Sequence, residues 1–198
     1  MKTLIISLKI FLFFTVLTGI IYPLFVTAIA QITFPARANG SLIVKNNKII
    51  GSELIGQRFD TLIYFSSRPS AVSYNPLPSG GSNFGLTNAK LNHSVDSLKK
   101  QFIIFNQLDS LTEIPSEMVF ASASGLDPHI SPKAALLQLE RISKVRHFNV
   151  SQNQLVLKAI NELSESPEFT FLGESRINVL LLNLKLDEIR WPGIRITW

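Results

Sequence analysis

The chain has 198 residues, of which 46% are hydrophobic and 17% are charged, and its formal net charge is +5. Typical soluble proteins carry roughly 25% charged residues, so a wholly soluble protein is disfavoured. Because the chain contains no cysteine, a disulfide framework, thiol catalysis and cysteine-ligated zinc or iron–sulfur sites are excluded. The length allows one ordinary domain with little room for a second.

The low charge content originates in one segment near the N-terminus. Residues 10–36 contain no charged side chain, and the apolar stretch 10–30 is long enough to cross the roughly 30 Å hydrocarbon core of a bilayer as one helix. The remaining chain keeps 17 of the 19 basic residues and all 14 acidic ones, so its charge is nearly balanced and requires no nucleic-acid partner. We expect a transmembrane helix at residues 10–30.

A cleaved signal peptide is the competing interpretation of this segment. Lys2 and Lys9 form a positive region, and residues 28–30 read Ala-Ile-Ala, which has the form of a cleavage site. The apolar region of a signal peptide spans about 7–15 residues, and the longer run here favours a retained anchor. The positive-inside bias then places residues 1–9 in the cytoplasm and the domain at residues 31–187 outside it.

One face of the predicted span carries small residues. Thr15 and Gly19 are four residues apart, and Tyr22 adjoins them. Small side chains let a second helix approach closely, although they are also common in helices that face only lipid. Pro23 removes the N–H that the Gly19 carbonyl would accept, which is expected to bend the outer turn. We predict that Thr15, Gly19 and Tyr22 contact a partner helix.

The segment after the span contains a hairpin signal and then a long loop. Runs rich in Ile and Val flank Asn46-Asn47, which predicts a β-hairpin over residues 41–52. Residues 58–91 contain too many Pro and Gly for regular elements. Because this loop is long and keeps aromatic residues such as Tyr64 and Phe65, we expect it to pack on the domain or to form a binding surface.

Helix signals dominate the rest of the chain, which predicts an α+β domain. Apolar spacing predicts a helix over residues 88–106, and Ser131 before Pro132 predicts the start of a second helix. Ser151, with Gln154 three residues later, predicts a capping box for a third helix. Residues 177–186 fit either a strand or a short helix capped by Asn178, and so brief a run does not decide between the two.

The sequence contains only weak signals for a phosphate-binding or a catalytic site. Ser79, Gly80 and Gly81 could present N–H groups to a phosphate, but the Gly-Lys-Ser/Thr ending of a P-loop is missing and a tight turn is favoured. Ser124, Asp127 and His129 include the residue types of a hydrolase triad. A hydrolase using Ser124 and His129 is nevertheless disfavoured, because the side chains of a triad rarely converge from so short a segment.

The histidines and most of the arginines carry no signal of a functional site. The three histidines, at positions 93, 129 and 147, are too scattered for a metal site, and no metal is predicted. Arg141, Lys144 and Arg146 are expected on a solvated helix face. Arg68 stands alone in the long loop, where we expect an ion pair with a partner or with its own domain.

Read together, several segments resemble the KdpC family of subunits of the Kdp potassium-transporting ATPase. The resemblance covers about residues 15–187, and its specificity lies in the order and spacing of the motifs. The matching segments are TGIIYPL at 18–24, GSELIGQ at 51–57, YF at 64–65, RPSA at 68–71, SGGSN at 79–83, TN at 87–88, ASASGLDPHISP at 121–132, Gln138, Arg141, and NVL and LNL at 178–184.

The resemblance implies a non-catalytic, single-span accessory subunit of a bacterial potassium uptake complex. Its expected partners are a channel-like KdpA-like subunit and a KdpB-like P-type ATPase subunit that uses ATP, and no cofactor is expected to bind this chain firmly. The family has been proposed to act as a catalytic chaperone that raises ATP affinity, with Ser79, Gly80, Gly81 and Gln138 as contacts. If the domain lies outside the cytoplasm, any such effect must be transmitted through the membrane helices.

Two features depart from the family pattern. Leu86 stands where Pro is usual, and residues 188–198 extend beyond the usual end. The extension carries Trp191 and Trp198, which could rest on the domain or at a membrane interface. The family pattern implies no role for this extension.

Overall fold

The computed structural model describes residues 1–189, and its contacts group them into two compact units that meet between Ser52 and Glu53. The first unit contains the apolar helix and a β-hairpin, and the second contains the mixed α/β domain. A mixed α/β fold with one N-terminal apolar helix is therefore confirmed. The membrane side on which the domain lies, and the boundaries at residues 30 and 187, remain predictions.

The apolar helix runs from Lys2 to Thr33 and buries none of its side chains in the first unit. It consists of α1 (Lys2–Val16), a π-helical turn (Leu17–Ile21) and α2 (Tyr22–Thr33), and a short α3 (Pro35–Ala38) follows. The hydroxyl groups of Ser7, Thr15, Thr18 and Thr33 donate to carbonyls four residues back. A helix that is apolar on every side and satisfies most of its own polar groups suits a lipid environment.

The β-hairpin is confirmed. Strands β1 (Leu42–Lys45) and β2 (Lys48–Ser52) pair antiparallel, with Lys45 opposite Lys48. Asn46 and Asn47 form the turn with φ values of +51° and +60°. Two left-handed central residues give a turn whose twist matches the strands, and Asn tolerates this conformation better than most residues do.

The described part of the second unit contains four α-helices, a 3-10 turn at Ser116–Met118 and a small antiparallel sheet in the order β3-β5-β4. The sheet is short because its strands are only two or three residues long. The helices are α4 (Ala89–Asn106), α5 (Pro132–Val145), α6 (Val150–Glu162) and α7 (Val179–Glu188); the strands are β3 (His129–Ile130), β4 (Ser164–Glu165) and β5 (Arg176–Asn178). Residues 53–88 form no helix or strand, as the Pro and Gly content predicted.

Caps decide where the helices begin. Asn88 accepts the N–H of Lys90 and Ser131 accepts that of Ala134, so the predicted starts of α4 and α5 are confirmed. The capping box of α6 is Asn149 with Gln152, and the predicted box at Ser151 was two residues too late. The same pattern occurs at both places, and Asn is at least as good a cap as Ser.

The undecided segment 177–186 proves to be a strand end followed by a helix. Asn178 closes β5, and its side chain accepts the N–H groups of Leu180 and Leu181 at 3.1 and 3.2 Å. The following leucines then face the core as part of α7. A capping side chain thus outweighed the strand-like alternation of the leucines.

The core of the domain lies between α5, α6, α7 and the sheet. Its fully buried apolar side chains include Phe65, Ile142, Ile160, Ile177 and Leu182. Phe65 belongs to the long loop, so the expectation that this loop packs on the domain is confirmed.

Candidate functional site

The irregular backbone of residues 62–66 is held by side-chain amides from two helices. Asn183 accepts the N–H of Phe65 at 2.8 Å and donates to its carbonyl at 2.9 Å. Gln138 does the same for Ser66, at 2.7 and 3.3 Å. Each amide thus forms the pair of hydrogen bonds that a neighbouring strand would form, and the buried backbone is satisfied without a sheet.

Arg141 of α5 and Arg146, the residue that follows α5, complete this arrangement, which we call the polar clamp (Gln138, Arg141, Arg146 and Asn183). Arg141 donates to the carbonyls of Leu62 and Tyr64 and to the side chain of Asn106. Its guanidinium also stacks over the ring of Phe105, 4.6 Å from the centroid. Arg141 therefore joins α4, α5 and the loop at one point.

Arg146 links the same loop to α7. It donates to the carbonyl of Ile63 at 2.8 Å and forms a buried ion pair with Asp187 at 2.8 Å. Tyr64 donates its hydroxyl to the other carboxylate oxygen of Asp187 at 3.0 Å. Burial, followed by the Asp187 carboxylate, raises the pKa of Tyr64 to about 12, so this hydroxyl keeps its proton at neutral pH.

The prediction that Arg141 and Arg146 lie on a solvated face was wrong, because both side chains are fully buried, whereas Lys144 is exposed as expected. Burial lowers the pKa of Arg141 to about 10, and the group still carries its charge near neutral pH. The sequence did contain a signal for this. Gln138 and Arg141 fall on the same helical stripe as the core residues Ala135 and Ile142.

The glycine-rich loop lies elsewhere, against the loop at residues 122–125. The N–H of Gly80 donates to the carbonyl of Ser124 at 3.0 Å. A Cβ added to Gly81 would lie 3.2 Å from the carbonyl oxygen of Ala123, and one added to Gly125 would lie 2.5 Å from a methyl group of Val72. Gly81 and Gly125 thus let the two loops approach closely, whereas a Cβ on Gly80 would meet nothing within 4 Å. The predicted tight turn is absent, because residues 79–85 form no turn.

Gln138 and the glycine-rich loop are not joined in the structure. Within residues 1–189, no hydrogen bond connects Gln138 with Ser79, Gly80 or Gly81. Gln138 has no exposed surface, whereas Ser79 is exposed. A nucleotide contact by these residues stays a prediction, and Gln138 would have to break its bonds to Ser66 to make one.

Arg68 forms an ion pair within its own domain. Its Nη1 atom lies 2.6 Å from Asp127, and the second oxygen of that carboxylate accepts the backbone N–H of His129 at 3.0 Å and lies 3.2 Å from its ring Nδ1. Arg68 is one-fifth exposed on its side chain, so part of it remains available to a partner. The Asp127 carboxylate, by accepting the N–H two residues on, fixes the local backbone in the manner of an Asx turn.

The Asp127 carboxylate is strongly stabilised in its charged form. Burial by itself raises the pKa of Asp127, but the hydrogen bonds from His129 and Arg68 outweigh it and lower the pKa to about 2. The side chain thus fixes the loop at residues 122–129 to the long loop at all ordinary pH values.

The hydrolase alternative finds no support in this geometry. Ser124 accepts the N–H of Leu126 at 3.1 Å, and no hydrogen bond joins it to His129 within the part of the chain that the structure describes. His129 is oriented by Asp127, but within residues 1–189 its imidazole forms no hydrogen bond with a nucleophilic side chain that it could activate.

In the first unit, the predicted partner-binding residues lie around the π-helical turn. Thr15 precedes it, Gly19 lies within it, and Tyr22 follows it; all three are exposed. The N–H of Tyr22 donates to Leu17, five residues back. The carbonyl of Thr18 could accept from Tyr22, four residues on, or from residue 23, five residues on. The Tyr22 N–H donates to Leu17 instead, and Pro23 has no N–H, so the Thr18 carbonyl receives neither bond.

The predictions for Trp191 and Trp198 fall outside the described residues. The extension at residues 188–198 is described only at its first two positions, where α7 ends at Glu188.

Comparison with known proteins gives a consistent family assignment. Residues 4–188 match the family model described as "KdpC: K+-transporting ATPase, c chain". The match begins inside the apolar helix and ends with α7, so it spans both compact units.

Curated relatives give the same result. The protein named "Potassium-transporting ATPase KdpC subunit" of Leptospira interrogans is 45% identical over 182 residues, which is 92% of each chain. The protein of the same name from Dechloromonas aromatica is 44% identical over 195 residues, covering 96% of this chain and 99% of its own. That from Acidobacterium capsulatum is 47% identical over 176 residues, covering 88% and 91%.

Proposed function

Because this chain belongs to the KdpC family of potassium-transporting ATPase subunits, we propose that it is the accessory, non-catalytic subunit of an ATP-driven potassium uptake complex in a bacterial cytoplasmic membrane. The observation that carries this proposal is the match over residues 4–188. A match to a soluble homologue of the domain alone would not extend into the apolar helix. The apolar helix and the domain therefore both belong to the proposed subunit.

The interior of the domain supports a structural role over a catalytic one. Its buried polar side chains hold the chain's own backbone, as Gln138 and Asn183 do for Ser66 and Phe65. A catalytic group must keep a reactive atom accessible to substrate. The proposed role is to stabilise the assembly of a channel-like subunit and a P-type ATPase subunit.

The anchor helix carries the proposed partner contact. A backbone carbonyl without a donor costs several kcal/mol in hydrocarbon, and neighbouring helices are the usual source of a substitute. The Thr18 carbonyl at the π-helical turn has this need, and Gly19 beside it lets a second backbone approach. The proposed partner helix therefore packs on the face with Thr15, Gly19 and Tyr22 and presents a hydrogen-bond donor to Thr18.

Any influence on the ATP affinity of the complex is proposed to be indirect. With the domain outside the cytoplasm, coupling would run through the anchor helix and its partner as a shift between two states of the complex. The enclosed position of Gln138 supports this route over direct nucleotide contact.

Complementation tests the proposal directly. A bacterium that lacks its own KdpC subunit should grow on limiting potassium when this chain is supplied together with the two large subunits of its own operon. Growth without this chain, or no recovery of the large subunits with an affinity-tagged copy of it, would refute the proposal.

The Gly19→Leu variant tests the anchor contact. A Cβ at Gly19 meets nothing within 4 Å in this chain, so the larger side chain should affect only partner packing and reduce co-purification several-fold. Ala28→Leu is the matched control, because it makes a similar enlargement at another exposed position of the same helix. Equal recovery of both variants would rule out this face.

Labelling of single cysteines tests the topology. The natural chain has none, so Ser110→Cys in the domain and Thr3→Cys before the span give unambiguous signals. A membrane-impermeant maleimide should label only the former in intact spheroplasts. Labelling of Thr3→Cys alone would place the domain in the cytoplasm and reopen direct contact with ATP.

A further inference from the structure

A short hairpin in the second unit exposes a cluster of large apolar side chains. We call residues 167–173 the phenylalanine tip. Phe169 and Phe171 expose 78% and 76% of their surface, and Leu172 exposes 52%. At 150–250 Å² for an aromatic side chain, the exposed fractions of these three neighbouring residues add up to roughly 400 Å² of apolar surface. A patch of this size on a single small domain is usually an interaction site.

The backbone of the phenylalanine tip is ordered by its own hydrogen bonds. Glu168 and Leu172 exchange two backbone bonds of 3.0 and 2.9 Å, and the N–H of Thr170 donates to Pro167 at 3.0 Å. Below the tip, Glu165 and Arg176 form an ion pair of 2.9 Å across β4 and β5. The phenylalanines are thus held outward by a closed hairpin.

The residues at the turn are costly choices for the fold alone. Phe169 and Thr170 have φ values of +51° and +70°, where a residue with a Cβ costs about 1–2 kcal/mol relative to the right-handed form. Glycine or asparagine would make the same turn at lower cost, and a polar residue would be better solvated. The phenylalanines contribute nothing to the domain core, so their value must lie in a contact outside the domain.

Charge around the phenylalanine tip distinguishes a protein partner from a lipid surface. Residues 164–176 contain three glutamates and one arginine, for a formal charge of −2. Arg176 is paired with Glu165, which leaves Glu168 and Glu174 beside the apolar side chains. Anionic lipid headgroups would repel this rim, because membrane-surface segments rely on Lys and Arg. A pocket with an apolar floor and a basic rim complements it.

We propose that the phenylalanine tip docks in an apolar pocket rimmed by Lys or Arg on another subunit of the potassium-transporting complex. This inference rests on the proposed function, which supplies such a subunit, and adds a second contact surface to the anchor helix. Phe169 and Phe171 provide the apolar anchors, and Glu168 and Glu174 select the partner by charge. Aromatic anchors surrounded by polar residues are the usual form of an interface hot spot.

The experiment compares two tip variants with a matched control in the full, co-expressed complex. The variant F169S/F171S removes the apolar anchors, and E168K/E174K keeps them but reverses the rim. Leu111→Ser is the control, because Leu111 is 92% exposed in a different loop. Both tip variants should lower recovery of the large subunits at least ten-fold after a salt wash, with recovery for Leu111→Ser unchanged. Proteolysis of the unfolding domain should give wild-type stability for all three.

Other outcomes separate the hypotheses. Suppose that the wild-type chain co-purifies with the large subunits and that both tip variants recover as much of them as Leu111→Ser does. This result would overturn the docking inference and leave the proposed function standing. Failure of the wild-type chain to co-purify would refute the proposed function. The wild-type chain could also bind phosphatidylglycerol vesicles more strongly than F169S/F171S does, while both recover the large subunits equally. This result would overturn the inference, because it would assign the tip to a lipid surface.

Discussion

The anchor helix and the polar clamp solve the same problem in opposite ways. Both must satisfy backbone N–H and C=O groups that water cannot reach. Except at the Thr18 carbonyl, the helix at Lys2–Thr33 does so with donors and acceptors four or five residues apart along the chain. The loop at residues 62–66 does so with the side chains of the polar clamp, which come from distant parts of the sequence. Gln138 is 72 residues from its partner Ser66, and Asn183 is 118 residues from its partner Phe65.

The difference determines how each region tolerates change. A helix that satisfies itself loses little when one side chain changes, since its backbone bonds remain. The clamp depends on individual side chains, each of which satisfies two or more backbone groups. We therefore expect mutations in the clamp to be far more costly than mutations of polar residues in the anchor helix.

The largest expected effect is that of Arg141→Met. The substitution leaves the carbonyls of Leu62 and Tyr64 and the amide of Asn106 buried without their donor. We expect a loss of about 3–5 kcal/mol in the free energy of unfolding, measured by denaturant-dependent proteolysis of the full chain in detergent. Lys144→Met, on the exposed face of the same helix, should cost less than about 0.5 kcal/mol. Similar values for the two variants would contradict the clamp.

Gln138→Glu and Asn183→Asp change only one atom of each amide and should cost about 2–3 kcal/mol each. Each places a carboxylate oxygen where an N–H₂ group donates to the carbonyl of Ser66 or Phe65. Gln154→Glu, at an exposed position of α6, is the control. If Gln138 acted instead as a nucleotide contact, Gln138→Glu would weaken the ATP affinity of the complex and leave the stability of this chain unchanged. The two measurements therefore distinguish the two roles.

Acid should weaken the contact between the two loops joined by Asp127. The pKa of this carboxyl falls from 3.8 when unfolded to about 2 when folded. Its stabilising contribution is therefore complete above pH 4 and is lost as the pH falls towards 2. After allowance for partial exposure, we expect about 1–2 kcal/mol. The stability difference between the wild type and Asp127→Asn should shrink over this pH range, and a difference independent of pH would contradict the assignment.

The smallest effect is expected in the anchor helix. Thr15→Val keeps the shape of the side chain but removes the hydroxyl that donates to the Phe11 carbonyl at 2.8 Å. Because that carbonyl also belongs to the helical backbone ladder, we expect a change below about 0.5 kcal/mol. Far-UV circular dichroism of the isolated chain in detergent should show unchanged helicity. A clear loss of helix would mean that the anchor helix, like the clamp, depends on single side chains.

Much of the fold was predictable because its signals are local. Composition over residues 10–30 gave the apolar helix, and Asn46-Asn47 gave the hairpin. Apolar spacing gave the helix over residues 88–106, and Ser131 gave the start of the next one. The site was predictable only in part. Arg68 was expected to form an ion pair, but its partner Asp127 could not be chosen from the sequence because 59 residues separate them.

The clamp shows why the remainder was missed. An arginine on a helix is usually solvated, and only its neighbours in space decide otherwise. Arg141 and Arg146 lie where the irregular loop leaves carbonyls that no strand satisfies, and that need is invisible in the sequence around either arginine. Gln138 was singled out on resemblance, but its contacts with Ser66 came from the structure.

The sequence by itself determined the parts of this protein that depend on neighbours along the chain: an apolar helix long enough for a bilayer, the turns, the caps and the family. Tertiary structure alone decided which polar groups meet inside the domain, that Arg141 and Arg146 are buried, and that Phe169 and Phe171 remain outside. Hydropathy and capping act over a few residues, whereas burial and pairing depend on segments brought together from 41 to 125 positions apart.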